Sequence, residues 1–536
     1  MKLFRTGIAL LAALAFSTTQ THAQSATTGG ITEKKAELTD EQLKRWSFLD
    51  LQKDTIPGMS VDKAYAEFIK DRKGAKVTVA VIDSGVDIDH EDLKSVVWTN
   101  PKEIAGNGKD DDKNGFVDDV HGWNFLGDAV NENLELIRII KKGDDGSDTY
   151  KKAKSELAKK RGEALSAKQQ LDFIQSAKSK VDAKIGKDIY TLEELRAMDP
   201  GSDAELSQAK FIMMSIIVQA GPTFLTDLKD FEKQTREMLE YNLNADFDGR
   251  KIVGDNPNDI KDNKYGNNNV TGPEKEASFH GTLVSGIIAS ERSNGKGTDG
   301  ISNNTQIMAI RAVPNGDEYD KDIALAIRYA VDNGAKVING SFGKYFSPHT
   351  QWVSDAIKYA ASKDVLIVFA AGNDGKDLDI AENRSYPTDS PDGKTEIADN
   401  VITIGALNYE YGKNVVANFS NYGKNNVDVF APGVQIFGTL PNNTYKPEDG
   451  TSFAAPNAAG VAALIRSYFP KLSATQVKRI LMDSGTPLPI EVELGEKKEK
   501  RPFAEASKSG NIVNAYNALV MAEKLSKNLP QKKVKG

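Results

Sequence analysis

The sequence predicts an α/β fold: a three-layer α/β/α arrangement around a mostly parallel, twisted sheet, interrupted by an inserted helical segment. Two observations carry this. From about Lys76, short apolar runs alternate with stretches of helical spacing, and one long segment, 128–240, breaks the rhythm with a Lys-, Glu-, Ala- and Leu-rich composition. The bulk composition agrees, since 536 residues with 39% hydrophobic and 27% charged side chains and 44 glycines are those of a soluble globular protein too long for one ordinary domain.

Taken in order, the chain opens on two positive charges, Lys2 and Arg5, followed by an apolar run from Ile8 to Phe16 and the small residues of Thr21-His-Ala23. That is the pattern of a secretory signal peptide, residues 1–23, and it implies an exported protein, periplasmic or secreted. The run is too short to span a bilayer, which needs about 20 apolar residues. Residues 24–75 form an N-terminal extension. Strands are expected at Val77–Ile82, Ile307–Val313, Val337–Asn339, Val365–Ala370 and Val401–Ile404, with helices over Lys321–Asn333 and Trp352–Ser362 between them. Strands alternating with helices make a parallel sheet covered on both faces, whose sites gather at the carboxyl ends of the strands. The α/β domain therefore covers 76–127 and 241–520, split by the helical insertion 128–240, whose ends are marked by Gly/Asn/Asp-rich loops at Gly106–Asp119 and Asn242–Asn269. Phe211–Val218 is too short for a transmembrane segment and reads as a buried helix, and 521–536 is a tail ending in basic residues. Absence of cysteine excludes disulfides and thiol catalysis, and a net charge of −7 gives no reason to expect nucleic acid as a partner.

Three pieces carry chemistry. The strand Val77–Ile82 ends on Asp83 followed by Ser84-Gly85, where a carboxylate could orient a histidine, although such an Asp taken alone is as well explained as a turn residue. His280, in Phe279-His-Gly-Thr-Leu-Val-Ser-Gly286, precedes a helix whose small residues permit close packing, a setting that His22, His90, His121 and His349 lack. Ser452 follows a Gly-Thr turn at the start of a small-residue helix, whose free N–H groups and dipole would face an oxyanion; alone it would be read as a helix cap.

Together these motifs, Asp-Ser-Gly at 83–85, His-Gly-Thr at 280–282 and Gly-Thr-Ser-Phe-Ala-Ala-Pro at 450–456, resemble the subtilisin-like serine proteases, the subtilases, and they stand in that family's order. The resemblance covers roughly 76–127 and 241–485 and excludes the insertion. It implies a serine endopeptidase acting on protein or peptide substrates through an acyl-enzyme, with Ser452 as nucleophile, His280 as base, Asp83 holding the imidazole, and Asn373 of Ala-Ala-Gly-Asn donating to the oxyanion. It also implies that Ser341, Phe342 and Gly343 on one side and Ala370, Ala371 and Gly372 on the other flank a bound peptide, with Ser385 of Arg384-Ser-Tyr-Pro387 at the pocket floor. Neutral walls and a small neutral floor predict a preference for large apolar residues before the scissile bond.

The loop Asp110–Asp119 presents Asp110, Asp112, Asn114 and Asp118 at positions one, three, five and nine of an EF-hand-like spacing, with the Phe116 carbonyl at seven, Gly115 at the turn and either Asp119 or a distant oxygen to complete the shell where His121 replaces the acidic twelfth residue. These oxygens suit Ca²⁺. A second acidic cluster, Asp246, Asp248, Asp255, Asp259 and Asp262, fits a metal loop or a solvated one equally. Two departures from the family stand out: Asp83 and His280 are 197 residues apart, and 24–75 is short for an inhibitory prodomain. The competing readings are a noncatalytic binding protein, which should carry a broken triad, and an esterase or peptide ligase working through the same acyl-enzyme.

Overall fold

Val77–Asp83 is β1, a seven-residue apolar strand inside a nine-stranded sheet in the computed structural model, which describes residues 37–528. The signal-peptide segment and the basic residues after Asn528 lie outside the described residues. In chain order the other strands are β2 (Gly122–Asn124), β3 (Thr305–Arg311), β4 (Val337–Gly340), β5 (Leu366–Ala370), β6 (Val401–Leu407), β7 (Val429–Pro432), a hairpin of β8 (Ile436–Leu440) and β9 (Thr444–Glu448), β10 (Thr486–Pro487), a second hairpin of β11 (Glu491–Leu494) and β12 (Glu499–Pro502), and β13 (Asn511–Ile512). The sheet order is β10-β13-β7-β6-β5-β4-β1-β3-β2, with every pairing parallel except β10 with β13. Parallel neighbours require crossover connections, and helices Phe279–Ala289, Asp320–Asp332 and Thr350–Ser362 supply three of them.

Alternation along β1 divides the core between the two faces. Val77, Val79 and Val81 join one apolar cluster with helix Thr451–Tyr468, while Ala80 and Ile82 join the other with helices Asp320–Asp332 and Thr350–Ser362. Helix Thr451–Tyr468 runs against β4 to β7 and is buried nearly all round, as its Ala-rich sequence without a polar face requires. The predicted three-layer α/β/α architecture is present, and all five expected strands form within three residues of their expected ends.

The part of the extension from Trp46 onward belongs to this core. Trp46, Phe48, Leu51, Ile56 and Met59 are buried in the same cluster as β1 and the Ser452 helix. The Trp46 indole N–H donates to the Val434 carbonyl at 2.9 Å, Arg45 pairs with Asp62 at 2.9 Å and Asp299 at 3.0 Å, and Ala515 N–H donates to Met59 O at 2.7 Å.

Residues 133–248 form a separate compact unit. It is helical, as expected from sequence, with boundaries a few residues later than 128–240. Its 38-residue helix Asp148–Ile185 is capped by Ser147 and ended by Gly186 at φ 85°, and packs with helices Ala204–Ala220 and Phe224–Glu237 around Leu171, Val181, Met213, Ile217, Leu228 and Phe231. The stretch Phe211–Val218 differs from the buried helix expected. Met213 and Ile217 are buried, but Phe211 is 72% and Val218 62% exposed, because a helix facing one apolar neighbour buries one stripe only. No single helix among the described residues is long and apolar enough to cross a membrane.

Candidate active site

Asp83 sits at the carboxyl end of β1, where its carbonyl accepts from the N–H groups of Ala312 and Val313 at 3.0 and 3.2 Å and its side chain is almost fully buried. The chain then turns through Gly85 at φ 117°, a conformation that favours glycine. Against this turn lies helix Phe279–Ala289. A side chain at Gly281 would place its Cβ 2.1 Å from the Gly85 carbonyl, so glycine there is what lets the helix approach. The approach brings His280 Nδ1 to 2.8 Å from Asp83 Oδ1, which also accepts the Ser84 N–H at 2.7 Å. With the carboxylate accepting the Nδ1 proton, Nε2 of the neutral ring is left as the basic nitrogen. Burial opposes protonation of His280, but the charge and hydrogen bond of Asp83, with a further contribution from Glu448, outweigh it and raise the imidazole above its ordinary value. His90, His121 and His349 lie elsewhere: His90 is buried and accepts the Asp92 N–H, His121 meets the Trp98 carbonyl, and His349 stacks on Trp352.

Ser452 occupies the first turn of helix Thr451–Tyr468, where backbone N–H groups lack intrahelical acceptors. Its neighbour Phe453 packs its ring 5.4 Å from the His280 ring, joining the two motifs. Its carbonyl accepts from Ser341 Oγ at 2.7 Å, and Ser341 in turn accepts from buried Asn339 at 2.9 Å. Asn373 Oδ1 accepts both the N–H and the hydroxyl of Thr451, at 2.9 and 2.8 Å. Two donors on one oxygen fix the amide, with Nδ2 as its donor end.

The structure also brings together the residues expected to flank a peptide. β4 and β5 end side by side, and Ser341–Gly343 and Ala370–Gly372 follow from them. Phe342 packs edge-on against Phe369, Gly343 is exposed, and a Cβ at Gly343 would lie 3.2 Å from Ser385 Oγ, so Ser385 stands directly beside that wall. Tyr386 exchanges two backbone hydrogen bonds with Lys344, at 2.8 and 2.9 Å, which locks the Ser385 segment to it. The opposite segment is different. Ala371 N–H donates to Ile404 O and its carbonyl accepts from Asn421, while Gly372 donates to Thr451 Oγ1 and accepts from Asn421 N–H, so these backbone groups serve the protein and the open edge is on the Ser341–Gly343 side.

Residues 74–504 match the sequence pattern of the subtilase family. The chain belongs to that family. It is 41% identical over 223 residues to the thermophilic serine proteinase of Bacillus sp. (strain AK1), a match covering 41% of this chain and 48% of that protein. It is 35% identical over 210 residues to subtilisin DY of Bacillus licheniformis, covering 39% of this chain and 71% of that protein. The chain thus spans about half the length of the first of these relatives. A solved protease structure from Pseudoalteromonas arctica is similar at 20% identity with a TM-score of 0.46, covering 89% of this chain and 97% of that one. This subtilase retains all three motif residues, with the Asp83–His280 hydrogen bond formed.

Sequence reasoning missed two groups that hold this subtilase's site. Thr451 orients Asn373, and Asn421 supports the loop from Ala371 to Lys376 through four hydrogen bonds. The acidic loop also differs in detail from the set expected. Asp110 and Asp112 converge, and the third carboxylate with them is Glu103, their oxygens all lying within 4.8 Å of one another. Glu103 Oε2 is buried without a hydrogen-bond partner. Asp119, by contrast, is engaged by Asn100, Asn114 and Tyr329, Asp118 accepts the Asn107 and Gly108 N–H groups, Asn114 Oδ1 accepts the Phe116 N–H, and Phe116 packs its ring on Trp123 and Tyr329. In the second acidic cluster Asp255 is buried between Arg250 and Lys321, and Arg250 also pairs with Asp322 at 2.6 Å, so its charge is balanced by cations of the chain.

Proposed function

We propose that this subtilase hydrolyses internal peptide bonds through an acyl-enzyme on Ser452. The observation that carries the proposal is the Asp83–His280 hydrogen bond set beside the helix whose first turn bears Ser452. Ser452 Oγ attacks the carbonyl and its proton passes to His280 Nε2. The imidazolium is stabilised by Asp83 and then protonates the leaving amine; water repeats the cycle on the ester. Asn373 Nδ2 and the Ser452 N–H are the donors to the oxyanion, and the tether from Ser341 to the Ser452 carbonyl supports their alignment. The substrate adds as a strand along Ser341–Gly343. The neutral pocket over Ser385 favours large apolar residues, whose burial contributes about 1.5–3 kcal/mol. The leader pattern at 1–23 supports export of this activity from the cytoplasm. A serine-directed phosphonate should label Ser452 and stop hydrolysis of a denatured protein; activity that survives complete labelling would remove the acyl-enzyme from this account.

Ca²⁺ is the metal this donor set suits, since Glu103, Asp110 and Asp112 offer hard oxygens and Glu103 Oε2 has no other partner. Its contribution would be to hold the acidic loop, which is a structural role. An ion at 100 times its Kd stabilises the folded state by about 2.7 kcal/mol. Chelation should therefore lower the melting temperature, and Glu103→Gln with Asp112→Asn should abolish that response. A melting curve of the wild type that chelator leaves unmoved would rule the site out.

A further inference from the structure

β4 and β5 run in register as far as Gly340 and Phe369, and the segments that follow them are the proposed sides of the specificity pocket. Its inner end is closed by the Ser341 tether to Ser452, and its floor by Ser385 against Gly343. At the outer end the two sides are rejoined by side chains. The Tyr345 hydroxyl, two residues past Gly343, donates to the carboxylate of Asp374, the residue after Asn373. The ammonium of Lys376 lies 4.0 Å above the Tyr345 ring and favours that ring position. A carboxylate thus stands next to a pocket with neutral walls and floor, with the Lys376 ammonium on the neighbouring ring, and the chain itself supplies its donor.

We propose that Tyr345 sets the charge preference of this pocket by holding Asp374 across its mouth, an inference that rests on the peptidase reading above. Engaged by the phenol, Asp374 is a weak partner for a substrate. Released, it would accept a charge-assisted hydrogen bond from the end of a Lys or Arg side chain that threads the apolar pocket and reaches the rim. Tyr345 and Asp374 are thus specificity-determining residues, and the substrate class they control is the peptide with a basic residue before the scissile bond.

The test uses wild type, Tyr345→Phe and the double variant Tyr345→Phe with Asp374→Asn, on peptides that differ only in Phe, Leu, Lys or Arg before the scissile bond. Tyr345→Phe keeps the ring and the Lys376 contact and removes only the hydroxyl. The ratio of kcat/KM for the Lys peptide to that for the Phe peptide should rise about tenfold, the size of one charge-assisted hydrogen bond at an exposed rim, and return to near the wild-type ratio in the double variant. An unchanged ratio in Tyr345→Phe overturns the proposal, as does a rise that persists without Asp374. Cleavage of the Phe peptide by wild type upholds the peptidase reading, so either of those results then counts against the Tyr345–Asp374 clasp alone.

Discussion

Ser452→Ala is expected to lower kcat on peptides by roughly 10⁶-fold while leaving the fold intact, a magnitude carried over from removal of the nucleophile in subtilisin. The loss is large because attack, proton transfer and oxyanion formation all begin at one oxygen, whereas the side chain removed is small and only partly buried at the head of its helix. Asn373→Leu should cost less, roughly 10²–10³-fold, because it removes one oxyanion donor and leaves the helix N-terminus in place; this too is a subtilisin magnitude. The pH profile adds a check. His280 must be neutral to accept the proton, and Asp83 and Glu448 raise its pKa against the effect of burial, so kcat/KM should fall as pH drops through a value above the ordinary imidazole range. Stopped assays on one peptide, with thermal melts to confirm folding, decide the matter. Full activity in Ser452→Ala would eliminate the nucleophile assignment.

Trp46→Ala is expected to destabilise the protein by about 3–5 kcal/mol, the cost of removing a large aromatic side chain from a closed core. Trp46 is 1% exposed, packs edge-on against Tyr409 with ring centroids 6.2 Å apart, and donates its indole N–H to Val434 in the connection between β7 and β8. Its loss would open a cavity in the cluster that also contains the Ser452 helix, and would take away a donor from that connection. Since whole-domain stability is about 5–15 kcal/mol, the urea midpoint should fall markedly at unchanged slope. A change under about 0.5 kcal/mol, typical of surface substitutions, would mean that the extension is not part of the cooperative core.

Trp46 also marks a limit of sequence reading. Nothing in 24–75 resembles the alternating pattern downstream, so its residues could be read only as an extension; their burial depends on surfaces contributed by β1, the Ser452 helix and helix Ala515–Lys527, all distant in the chain. The helix Ala204–Ala220 shows the same limit in the opposite direction, because apolar content alone does not say which stripe meets a neighbour. Strands of two or three residues, such as β2 and β10 at the sheet edges and β13 beside β10, carry too short a pattern to be seen.

What the sequence by itself determined was the layer architecture, the helical insertion and the three chemical motifs with Asn373. Each rests on information local to one element: a strand's alternation, a glycine where a helix must approach, a serine at a helix start. What only the tertiary structure decided was how those pieces are held. Thr451 turns the Asn373 amide, Ser341 ties the Ser452 carbonyl, Glu103 joins Asp110 and Asp112, Arg250 and Lys321 take up Asp255, and Tyr345 reaches Asp374. The three carboxylates converge to within 4.8 Å, and the other polar partners are chosen by which side chains the packed sheet and its loops bring within about 3 Å, the separation at which a hydrogen bond forms. That separation depends on the whole arrangement of elements, and no spacing along the chain encodes it.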